Sequence, residues 1–144
     1  MTVVIKANKI YKIFESSKLK LSERNIIYNC ENKFLIPGLW DAYVHFAYEE
    51  SLAESMSDLF LAYRVTSVRD TSGDIDFVNK FKLESKNKLN ITPRIMVAGP
   101  LIDWKYNVYD GSSEQYPPLS IQTFSEKDLI NKVSSLIEKK VDFL

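Results

Sequence analysis

From residue 37 onward the spacing of apolar positions changes repeatedly between a strand period and a helix period. Residues 39–46 alternate. Trp40, Ala42, Val44 and Phe46 fall on one face of a strand, and Asp41, Tyr43 and His45 on the other, because successive strand side chains point to opposite sides. The chain enters this strand from a turn at Pro37-Gly38. Over 49–64 the period lengthens: Leu52, Met56, Leu59, Phe60 and Tyr63 recur at spacings of three and four, which predicts a helix. Glu49, Glu50 and Glu54 near its start suit the helix dipole. Val65-Thr66-Ser67-Val68-Arg69-Asp70 is rich in β-branched residues and predicts a second strand, followed by the loop Thr71-Ser72-Gly73-Asp74. Residues 74–89 predict a second helix with Ile75, Val78, Phe81 and Leu83 apolar and many lysines outside. Pro93 breaks the pattern, and Arg94–Ala98 reads as a buried strand ending at Gly99-Pro100.

Residues 101–124 read as one long loop carrying Asp103, Trp104, Tyr106, Tyr109, Asp110 and Pro117-Pro118. Loops of that length in a folded domain are often functional or disordered, and the aromatic density makes Asp103 and Trp104 candidates for a substrate loop. Ser125-Glu126-Lys127-Asp128 approximates a capping box with Asp in the last position. Leu129, Ile130, Val133, Leu136 and Ile137 then predict a helix over 126–140, and Val141-Asp142-Phe143-Leu144 a fourth strand. Strands alternating with helices predict parallel pairing through right-handed crossovers.

The first 36 residues predict strands alone: Thr2–Ile5, a turn at Asn8-Lys9, Ile10–Phe14, a polar loop over Ser16–Glu23, then Asn25–Asn29 and Lys33–Ile36 around Cys30-Glu31-Asn32. The domain boundary is therefore expected between an N-terminal β subdomain, 1–36, and an α/β part, 37–144.

Composition narrows the partners. Nineteen basic and nineteen acidic residues give a formal net charge of zero, which suggests no polyanion, and no basic stripe with interleaved aromatics points to nucleic acid. Cys30 is the only cysteine, so neither an internal disulfide nor a cysteine zinc cluster is available. No apolar run approaches the roughly 18 residues of a membrane span, and no secretory signal is visible at the start. A cytoplasmic protein without a membrane partner is expected.

Four stretches together resemble the amidohydrolase superfamily of metal-dependent hydrolases, most nearly its imidazolonepropionase and prolidase-like branch. They are Pro37-Gly38-Leu39-Trp40-Asp41 with His45; Val65–Asp70; Pro93-Arg94 with Gly99-Pro100; and Val141-Asp142. The resemblance implies an α/β fold: the strands of a small β-sandwich over 1–36, then the first half of a (β/α)₈ TIM-type barrel over 37–144, a barrel that needs about 250 residues in all. It implies a divalent metal, zinc foremost, and attack of a metal-bound hydroxide on the C–N carbon of a small amide-type substrate.

In that family two histidines at i and i+2 hold the ion. Here His45 occupies the second position, and Tyr43 stands where the first is due; a phenol with a pKa near 10 is a poor zinc ligand. Asp41 would be a carboxylate supporting the ligands, while Arg69 and Asp70 would form an internal ion pair at the strand ends. The later ligands of the family, a lysine, two further histidines and an aspartate, have no counterpart here. The resemblance therefore implies an N-terminal fragment, inactive by itself and not binding the metal stably. The alternative is a degenerate half-barrel acting as a binding or oligomerising module; Tyr43, Arg64 and Lys140, the last two where the family favours glycine, fit such drift. Self-association through open barrel edges is a further expectation.

Overall fold

The computed structural model describes residues 1–7, 9–20, 22, 24–46, 48, 50–87 and 92–144. Asn8, Glu23, Glu49 and Leu89, at which the sequence places a turn and the ends of a loop and two helices, lie outside the described residues. The chain divides into two units, Met1–Ile36 and Pro37–Leu144.

In the first unit β1 (Thr2–Lys6) pairs antiparallel with β2 (Lys9–Phe14). The Thr2 hydroxyl meets the Ser16 hydroxyl at 2.9 Å beyond the end of the pair. Neither Asn25–Asn29 nor Lys33–Ile36 forms a strand. The expected sandwich strands are thus corrected, among the described residues, to a single hairpin.

The second unit holds β3 (Leu39–Val44), α1 (Glu50–Ala62), β4 (Val65–Asp70), α2 (Ile75–Asn87), β5 (Arg94–Val97), β6 (Leu101–Trp104), β7 (Ser120–Thr123) and α3 (Glu126–Glu138). β3, β4 and β5 form a parallel sheet in that order, and β6 and β7 a separate parallel pair. The core lies between the first sheet and its helices: Val44, Phe46, Val68, Ile95 and Val97 from the sheet side meet Ala53 of α1 and Ile75, Val78 and Phe81 of α2. The rings of Phe46 and Phe81 stand 5.3 Å apart between centroids.

The first half of a TIM-type barrel is not what this unit builds. Among the described residues its continuous sheet has three strands, and the stretch read as one loop contains β6 and β7, which pair with each other. α3 follows β7 rather than β5. Val141–Leu144 is not a strand; the Asp142 backbone N–H donates to Val97 O at 2.8 Å, while the Asp142 carboxylate accepts the Val97 N–H at 2.9 Å. That side chain takes the place a neighbouring backbone carbonyl would have in a ladder.

Three local features shape the frame. At Gly38 an added Cβ would lie 1.8 Å from Thr66 Oγ1 and 2.7 Å from Thr66 Cβ, so a glycine is required where β3 enters beside β4. Two residues beyond α1, Arg64 has φ +67°, and two beyond α3, Lys140 has φ +61°, the left-handed conformation that glycine adopts at least cost. Ser125 caps α3 by accepting the Asp128 N–H at 3.2 Å, and Asp128 reaches back to accept the Phe124 N–H at 3.1 Å.

Candidate functional site

In a parallel sheet the strand ends where the chain emerges are where ligands bind in many α/β folds. Here that end is made by residues 43–46 after β3 and 70–72 after β4. Val44 and Asp70 are register partners across the two strands. The two segments are also stitched by side chains. Asp70, fully buried, accepts the Phe46 N–H at 2.6 Å on Oδ2 and the Ser72 N–H at 3.3 Å on Oδ1. The Thr71 N–H donates to Val44 O at 3.0 Å. Burial pushes the Asp70 carboxyl up to about 6, with the two backbone N–H donors opposing that rise.

His45 is half-buried within this clamp. Its Nδ1 lies 2.6 Å from Ser72 Oγ and 3.4 Å from Thr71 Oγ1. Burial holds its imidazole below the ordinary histidine range, so the neutral form prevails at neutral pH. Tyr43 stands edge-on to it with ring centroids 4.8 Å apart, and Tyr48 stacks at 6.5 Å. Tyr43 is 69% exposed.

The remaining sequence candidates are placed as follows. Asp41 accepts the Tyr43 N–H at 3.1 Å, a bond within its own strand. Arg69 and Asp70 alternate along β4 and take different partners: the Arg69 guanidinium lies 4.1 Å from the Phe143 ring centroid, and Asp70 faces the core and the backbone of Phe46. Asp103 accepts the N–H of the adjacent Trp104 at 2.7 Å, on exposed β6 of the other sheet. Among the described residues neither meets His45. Ser72 escaped sequence reasoning. It sits 27 residues from His45, and a lone serine in a loop after a strand carries no spacing signal.

A catalytic zinc takes about three protein ligands. Among the described residues no three of His, Cys, Asp and Glu come together, and both Asp70 oxygens are already engaged by backbone N–H groups. The described residues therefore do not by themselves fit a metal centre. Among them, too, no helix is long and apolar enough to cross a membrane. No protein-family model, curated protein or solved structure matches the chain.

Proposed function

We propose that this chain contributes part of the binding site of a cytoplasmic metal-dependent hydrolase of the amidohydrolase type, acting on C–N bonds of a small amide substrate, and that residues 1–144 alone do not catalyse the reaction. His45 is the ligand they supply, and the others come from polypeptide outside them. One observation supports this reading above the rest: the Tyr43 ring stands beside His45 with centroids 4.8 Å apart. Two imidazoles sharing one zinc at about 2.0–2.1 Å per nitrogen have centroids roughly 5 Å apart. That separation is compatible with a second imidazole at position 43, which carries a phenol instead.

The reading is tested by following the His45 ring resonances while zinc is added to the wild-type protein. It predicts weak binding confined to His45, abolished by His45→Ala. Binding that survives His45→Ala counts against it.

A second reading, a non-catalytic module that associates through β3, draws on the position of β3 at the sheet edge with Trp40 and Tyr43 exposed. Sedimentation of the chain across concentration separates the two: a dimer broken by Trp40→Lys favours the module.

A further inference from the structure

Ser72 is fully buried, and among the described residues its hydroxyl has a single polar partner, His45 Nδ1 at 2.6 Å. Its position is fixed from behind, since its own N–H donates to Asp70 Oδ1 and the other Asp70 oxygen holds the Phe46 N–H. One carboxylate therefore holds Ser72 and the residue that follows His45 in the chain. A neutral imidazole has one N–H and one lone pair, so Nδ1 is either donor or acceptor. If Nδ1–H donated to Ser72, the buried Ser72 O–H would be left with no acceptor among the described residues, a costly state. Thr71 does not change the balance: its N–H already donates to Val44 O, and its hydroxyl lies 3.5 Å from the same carbonyl and 3.4 Å from Nδ1.

We infer that Ser72 is a positioning residue that donates its hydroxyl proton to Nδ1 and fixes His45 as the Nε2–H tautomer. The metal-free site then presents an N–H, a hydrogen-bond donor suited to a carbonyl or carboxylate oxygen. A cation could bind Nε2 only in the other tautomer, with the ring proton on Nδ1 and Ser72 as its acceptor. The inference rests on the reading of His45 as the working group of the site only for its functional meaning; the tautomer stands or falls separately.

His45 is the only histidine, so its two ring nitrogens can be read without ambiguity in ¹⁵N-labelled, metal-free protein by long-range ¹H–¹⁵N correlation above its titration range. The expected result is Nδ1 in the unprotonated range and Nε2 in the protonated range, with the Nε2–H form favoured roughly tenfold or more from the cost of an unsatisfied hydroxyl. Ser72→Ala should reduce that preference to a few-fold, and Ser72→Thr should restore it. A wild-type spectrum with Nδ1 protonated overturns the inference, as does a folded Ser72→Ala protein with an unchanged tautomer ratio. Should Ser72→Ala not fold, the wild-type ratio decides: a preference of roughly tenfold or more supports the inference, and one of only a few-fold overturns it. Failure here leaves the hydrolase reading standing, because no metal enters the measurement; failure of the zinc titration leaves the tautomer unaffected.

Discussion

The Asp70 carboxylate accepts the Phe46 backbone N–H at 2.6 Å across 24 residues of sequence, and so ties the end of β4 to the turn that carries His45. The bond is made in a fully buried place, where a charge is poorly solvated. The folded-state pKa is raised from 3.8 to about 6. The folded protein therefore holds the Asp70 proton more tightly than the unfolded chain. Lowering the pH through 6 towards 4 adds stability through this group, and raising it from 4 to 7 removes about 2 kcal/mol. Asp70→Asn does not titrate. Urea unfolding of both proteins at pH 4, 5, 6 and 7 should show wild type gaining on the variant as pH falls. A constant difference would remove Asp70 as the source.

Lys82 and Asp142 form a 2.9 Å ion pair in which the lysine side chain is only 9% exposed. Lys82 also donates to Lys140 O at 3.0 Å. Asp142→Ala leaves Lys82 charged and nearly buried and the Val97 N–H without its acceptor, and is expected to cost about 3–5 kcal/mol. Lys82→Met should cost less, since Asp142 keeps the Val97 N–H and some solvent. Thermal and urea unfolding of the two variants check the order, and equal losses would contradict it.

Arg64 and Lys140 adopt φ of +67° and +61°, where a side chain is strained. Arg64→Gly and Lys140→Gly should each stabilise the protein by about 0.5–1 kcal/mol, the gain from relieved strain exceeding glycine's unfolded-state entropy. A lower melting temperature for both would show the strain to be negligible.

Gly38→Ala is expected to act the other way. An added methyl would overlap Thr66, and either β3 or Thr66 must shift, at about 1–3 kcal/mol. Gly38→Ala combined with Thr66→Ala, which removes the Thr66 hydroxyl and methyl but keeps its Cβ, should recover part of that loss.

The sequence made some of this legible and concealed the rest for physical reasons. Val44 and Phe46 enter the core as the alternation over 39–46 predicts, but Trp40 and Ala42 of the same face are exposed, because the pairing of β3 with β4 shifts register between Leu39 and Trp40 and again between Asp41 and Val44. On α1 the apolar stripe misleads: Leu52, Leu59 and Tyr63 are exposed, while Ala53 and Ser57 turn inward, small residues that periodicity undervalues. In α2 Lys82 is buried and Leu83 exposed, an inversion that depends on Asp142, sixty residues away. β6 and β7 have four residues each, too few to show a period, and a stretch rich in Tyr, Pro and Ser separates them. The half-barrel expectation failed where these two strands pair with each other instead of extending the first sheet. At the site, His45 and Tyr43 were visible from their i, i+2 spacing; the clamp of Asp70 and Ser72 was not, since hydrogen bonds between strand ends leave no local signature.

The measurement that bears most directly on position 43 is a calorimetric zinc titration of the wild-type protein, Tyr43→His, and Tyr43→His with His45→Ala. The reading predicts that Tyr43→His binds zinc at least tenfold more tightly than wild type, a gain of about 1.4 kcal/mol or more, at one ion per chain, and that His45→Ala removes the gain. A folded Tyr43→His protein that binds zinc no better than wild type would contradict the claim that residues 43 and 45 are spaced to share a metal ion.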